Sequence, residues 1–382
     1  MSSTWWSLPG PANFVDRVAD SLRTGRSCAV LLTALTPRGL REAIRRCSDE
    51  LHNRWQRLLL DSSEAIVPAL FESYANEEDN GRERTLANLA EMERFQNRII
   101  WCEVSESRAA KAWASFLQNY EPIARSLPLT SRTVFCLALS GDAALAWTIG
   151  EETGLTIERY CGCITPLDSQ IHAAQLLWGR KLNPLIQEIA ARVLAEVCVW
   201  DCFAAEELSE RPIEHILEPA SFLEEIQTSR GWSGVAEMTF VHAWAIGAAD
   251  EYAGQRLFHP AALSPQQMKR ECARASWSAE LGTVWPMIER RREEVIRALG
   301  DKLRVPYTTR EGTTITNRED LQLGHIQTLL FDRRHSLLEL YEKIDFMRGL
   351  RNDLAHNKPL PLSMMLSSKL EALNGWHPSL PT

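Results

Sequence analysis

The chain has 382 residues, 45% of them hydrophobic and 24% charged, and a formal net charge of −8. That length predicts two or three units rather than one small domain, and the negative balance argues against a general polyanion binder. No stretch approaches the roughly 20 apolar residues of a membrane-spanning helix, the opening Met-Ser-Ser-Thr-Trp-Trp does not read as a signal peptide, and nine cysteines without a framework predict reduced thiols in a cytoplasmic protein.

Residues 1–165 alternate strand-like and helix-like runs. The apolar run at residues 28–35 predicts a buried strand, broken by Pro37-Arg38-Gly39, and residues 40–60 then read as one helix. Residues 98–104 predict a second strand, 107–126 a helix, and 132–139 a third strand that ends at Ser140-Gly141-Asp142. Strand, crossover helix, strand is the pattern of a parallel α/β sheet. This layout is similar to that of P-loop ATPases. The resemblance implies a glycine-rich loop with a Lys-Ser/Thr pair after the first strand, which cradles phosphates. Residues 33–39 hold no lysine, and Pro37 removes a backbone donor; Glu103 stands where a metal-holding Asp is expected. The segment reads as a degenerate, non-hydrolysing ATPase-like domain without Walker motifs, or as an α/β domain of another kind. Arg38 and Glu103 alone define no nucleotide site.

Residues 166–262 read as a helical middle region, clearest at 172–178 and 185–203, with a charged stretch at 206–211 and a turn at 230–234. His242, in an apolar run, reads as a packed core histidine. Thirteen tryptophans serve packing, with some available as interface anchors.

Ser264-Pro265 predicts the start of a third, helical region over 263–382. A long helix over 265–299 contains Pro286, residues 304–315 form an inserted hairpin with its turn at Arg310-Glu311-Gly312, and Thr316 with Glu319 forms a capping box before the next helix. This region carries 18 Lys and Arg against 15 Asp and Glu, whereas the remainder carries 24 against 35. It is the part least hostile to RNA. Arg290, Arg291, Arg292, Arg297, Lys302, Arg304, Arg333, Arg334 and Lys358 are candidate phosphate contacts, or solvated helix faces interleaved with Glu289, Glu293 and Glu294.

The chemistry is concentrated in the helix that follows. Leu337, Leu340, Tyr341, Ile344, Met347 and Leu354 recur at helical spacing and predict a buried face. Asp345, Arg348, Asn352 and His356 step along another face, with Arg351 beside them, before Asn357-Lys358-Pro359 ends the helix. A guanidinium can hold phosphate oxygens and an imidazole can move a proton. An Arg and a His near a helix end also complement the helix dipole with no catalytic role.

The sequence Arg351-Asn352-x-x-x-His356 resembles the motif of the HEPN superfamily, small helical bundles that include metal-independent ribonucleases and non-cleaving dimerisation modules. The resemblance covers about the last third of the chain. It implies a homodimer whose facing motif helices form one composite RNA-cleaving site, with Arg351, Asn352 and His356 catalytic, Asp345 and Arg348 in support, and neither cofactor nor metal. It also implies a regulated toxin or antiviral-defence effector with a dedicated partner protein; the alternative is a non-catalytic scaffold subunit of such a complex.

Other constellations are weaker. Cys161-Gly162-Cys163 with His172 suits zinc poorly at one-residue spacing, and Cys198 and Cys202 read as small core residues. The acidic pairs Glu151-Glu152, Glu206-Glu207 and Asp250-Glu251 lack a metal-nuclease context, and no nucleophile elbow is present.

Overall fold

The structure, a computed structural model, describes residues 2–48, 54–59, 65–79, 81–150 and 154–378. The chain folds into two compact units. The first comprises Met1–His172, Cys198–Glu206 and Ile226–Ser264; the second comprises Ala173–Val197, Glu207–Glu225 and Pro265–Thr382. Residues 166–262 are divided between the two units.

The first unit is built on a five-stranded parallel sheet of β1 (Cys28–Leu32), β2 (Arg54–Leu58), β3 (Arg98–Val104), β4 (Val134–Ser140) and β5 (Thr156–Arg159), in the order β2-β3-β4-β1-β5. Helices cover both faces, so β1 reads as a continuous apolar run. Its Cys28, Val30 and Leu32 join the cluster of the helices Pro9–Arg23 and Leu40–Ser48, and Ala29 and Leu31 join that of Ile66–Tyr74 and Ser107–Ser126. On the latter face Phe135 meets the rings of Trp113, Phe116 and Tyr120 at 5.5, 5.2 and 5.4 Å. Truncating such a ring to alanine costs about 3–5 kcal/mol.

The predicted helix over 40–60 is corrected. The described helix is Leu40–Ser48, and Arg54–Leu58 is the edge strand β2; residues 49–53 and 60, like Glu151 and Glu152, lie outside the described residues. Leu51, Trp55 and Leu58 fall at helical spacing, and an edge strand carries too many polar residues to announce itself. The middle region also contains a hairpin, β6 (Ala249–Tyr252) with β7 (Gln255–Phe258). Its turn places Ala253 and Gly254 at φ of 52° and 76°, the left-handed geometry of a tight two-residue turn. The expected helix over 185–203 is interrupted by Val199 at φ 45°, giving Pro184–Cys198 and Cys202–Ser209. His242 is exposed, with its Nδ1 2.7 Å from Thr239 Oγ1.

The second unit is helix-rich. Its long helix, Pro265–Leu299, starts at the expected proline and accommodates Pro286. The insertion is the antiparallel pair β8 (Tyr307–Thr308) and β9 (Thr314–Ile315). The capping box lies at Gln322 and His325, opening Leu323–Leu329, whereas Asn317 accepts the Glu319 N–H at 3.2 Å. The motif helix is Leu338–Ala355, followed by Leu362–Met365 and Ser368–Gly375.

Candidate active site on the motif helix

Leu340, Ile344, Met347, Leu350 and Leu354 bury one face of the motif helix. Asp345, Arg348, Asn352 and His356 are exposed along another. The 3.6-residue period therefore separates packing from polar groups and leaves the histidine accessible.

The position of His356 follows from how the helix ends. His356 is the C-cap, Asn357 takes a left-handed φ of 56°, and the amides of Asn357 and Lys358 donate to the carbonyls of Leu354 and Asp353 at 3.2 and 3.1 Å. This paired return is the Schellman arrangement, with asparagine supplying the left-handed residue and Pro359 preventing the helix from continuing. The long helix grips the same end. Trp277 Nε1 donates to Leu354 O at 2.8 Å, and Glu280 Oε2 accepts the Leu360 N–H at 2.7 Å. Glu280 is 0% exposed and its Oε1 has no partner; burial pushes its carboxyl up to about 7, with the Leu360 amide pulling the other way. His356 thus sits on a backbone turn held at both ends.

Arg351 is placed differently. Its guanidinium lies 4.9 Å from the centre of the Trp285 ring, and its Nε is 3.4 Å from Glu289 Oε1 without a hydrogen bond. Arg292 takes the other Glu289 oxygen at 2.7 Å. The motif arginine is therefore half-buried and drawn toward a carboxylate of the long helix. Arg348 is paired with Asp345 at 3.1 Å, and Gln327 also donates to Asp345, at 2.9 Å.

Of the candidate phosphate contacts, Arg290, Lys358, Arg297, Lys302, Arg304 and Arg333 are exposed. Arg291 is not available as one. It is 5% exposed, donates to Glu294 at 2.6 Å and to the Asn374 carbonyl, and lies 3.2 Å from His377 Nδ1. Arg292 is similarly spent on Glu289 and on the carbonyls of Glu319 and Leu321. The residues that sequence reasoning missed are Trp277, Glu280, Trp285 and Glu289. Each sits on the long helix, and its contact with the motif segment leaves no local signal, because that partner lies more than sixty positions away.

Among the described residues, no group of three His, Cys, Asp or Glu side chains could hold a metal ion, and no helix is long and apolar enough to cross a membrane. Comparison with protein-family models and with curated proteins gives no match for this chain.

Proposed function

We propose that the chain is a metal-independent endoribonuclease of HEPN type, a regulated toxin or antiviral-defence effector. The observation that carries this reading is the exposed ridge ending at His356, with Arg351 one helical step inside it. In the proposed reaction a ribose 2′-hydroxyl attacks the adjacent phosphorus, the bond to the 5′-oxygen breaks, and the products are a 2′,3′-cyclic phosphate and a 5′-hydroxyl. His356 takes the 2′ proton as base or delivers one to the leaving 5′-oxygen as acid. Arg351 clamps the non-bridging oxygens in a fork, Asn352 orients the phosphate or the imidazole, and Asp345 and Arg348 support them. A second copy of the chain supplies the other Arg351 and His356 of a composite groove, Arg290 and Lys358 lie within the RNA-facing surface, and the first unit acts as a degenerate ATPase-like sensor.

One observation favours a second reading. Arg351 is held by Trp285 and Glu289, as suits a non-catalytic dimerisation module with a docking surface for a partner protein. Expression separates the two: the wild-type chain suppresses growth and the His356→Ala chain does not. Equal growth of both, with or without the partner or trigger, counts against the nuclease.

A further inference from the structure

We propose that the first unit binds a phosphate-bearing small molecule, without a metal ion, in the cleft at the carboxyl ends of β1, β3 and β4. The proposal does not depend on the ribonuclease reading, since binding is measured without RNA.

The sheet makes the cleft. From β1 the chain leaves to Leu40–Ser48 on one face, whereas the helices Ser107–Ser126 and Asp142–Ala146, before and after β4, pack on the other. Adjacent strands whose connections depart to opposite faces leave a crevice beyond their carboxyl ends, where open α/β sheets take ligands. Here it measures about 600 Å³, within the range that holds a mononucleotide-sized molecule. Its wall is anchored rather than loose: Trp6 Nε1 donates to Arg38 O at 2.9 Å, and Thr36 Oγ1 donates to Thr33 O at 2.9 Å.

The charged lining sets the ligand class. Arg38 and Arg41, on the stretch that follows β1, and Arg57, on β2, line the cleft against Glu42 and Glu103. Arg38 is exposed, and among the described residues its side chain makes no hydrogen bond or ion pair. Arg57 pairs with Glu103 at 2.7 Å and Arg41 with Glu42 at 2.5 Å, both partly in solvent. Such exposed pairs contribute about 0–1 kcal/mol, so either guanidinium can exchange its carboxylate for a phosphate. Glu103 keeps a partner when Arg57 leaves, because buried Trp101 donates to its other oxygen at 2.9 Å. Three guanidiniums thus stand against two carboxylates, each carboxylate already facing an arginine. An anion held by arginine forks fits this donor set.

The test is calorimetric titration of the full chain with inorganic pyrophosphate in EDTA. Saturable binding is expected, with Arg38→Ala and Arg57→Ala each weakening it about tenfold or more, the loss of one charge-assisted hydrogen bond. Glu103→Gln should tighten it by releasing Arg57 from a competing charge. Adenosine diphosphate and ribose 5-phosphate, titrated in parallel, show whether the rest of the cleft grips a nucleoside or a sugar. No saturable heat at millimolar pyrophosphate, wild-type affinity in both arginine variants, or binding that appears only when magnesium is added overturns the proposal. A negative result leaves the His356 chemistry standing.

Discussion

In the first unit His172 and His259 lie inside the fold, 4% and 0% exposed, and burial lowers each imidazole to about 4. In the second unit His356 stands on the surface, on a turn fixed by backbone bonds and by Trp277 and Glu280. His259 spends its Nδ1 accepting the Ala261 N–H at 3.1 Å, beside Asp201, which Arg230 holds. His172 meets the edge of Trp5 at 4.9 Å. A neutral imidazole enclosed by aromatic rings shapes a core and cannot reach a polymer; one on a rigid, open turn can. Placement, not residue type, separates them.

The largest effect that sharpens this contrast falls on cleavage. His356→Ala should reduce RNA cleavage about 10²–10⁴-fold, the range for losing a general acid or base, with unchanged circular dichroism. Cleavage kinetics of a His259→Gln protein should stay near wild type once its lower stability is allowed for. Equal losses from both would erase the contrast.

The two buried histidines and Glu280 should also respond oppositely to pH. His172 and His259 are harder to protonate folded than unfolded, so their share of stability is lost as pH falls from about 6.5 toward 4. Asp250, pushed up to about 6 by burial, partly offsets this below pH 6. His259→Gln should make the acid-side loss shallower in urea melts taken across that window. Glu280 has the reverse sign: its folded carboxyl holds a proton up to about 7, so its contribution is lost as pH rises from 4.5 through 7. Glu280→Gln keeps an acceptor for the Leu360 amide and removes the buried charge. It should stabilise the protein by about 1–3 kcal/mol at pH 8 and much less at pH 5. The same gain at both values would contradict the assignment.

The smallest effect concerns Arg351. Glu289→Gln removes the carboxylate beside its guanidinium and should raise cleavage several-fold, on the order of a 1 kcal/mol ion pair. A drop in single-turnover rate would mean that Glu289 orients Arg351 rather than competing for it.

Much of this was readable in the chain because burial writes a pattern. β3 and the helix Ser107–Ser126 lie where the sequence places them, since a strand covered on both faces and a helix with one apolar stripe each leave a periodic trace. The ridge of Asp345, Arg348, Asn352 and His356 was legible for the same reason. β2 and β5, polar edge strands, left none. Neither did the tether of Arg351 to Trp285 and Glu289, nor the burial of Arg291 against Asn374, because such pairings form only when distant segments meet. His242 misled for a related reason: apolar neighbours in sequence do not decide which way a side chain faces.

The most direct test is end-group analysis of an end-labelled RNA incubated in EDTA with the wild-type and His356→Ala chains. Fragments ending in 2′,3′-cyclic phosphate from the wild type alone are the expected result. Intact RNA at enzyme excess, or the same fragments from both proteins, would contradict the assignment of His356 as the proton-transfer group.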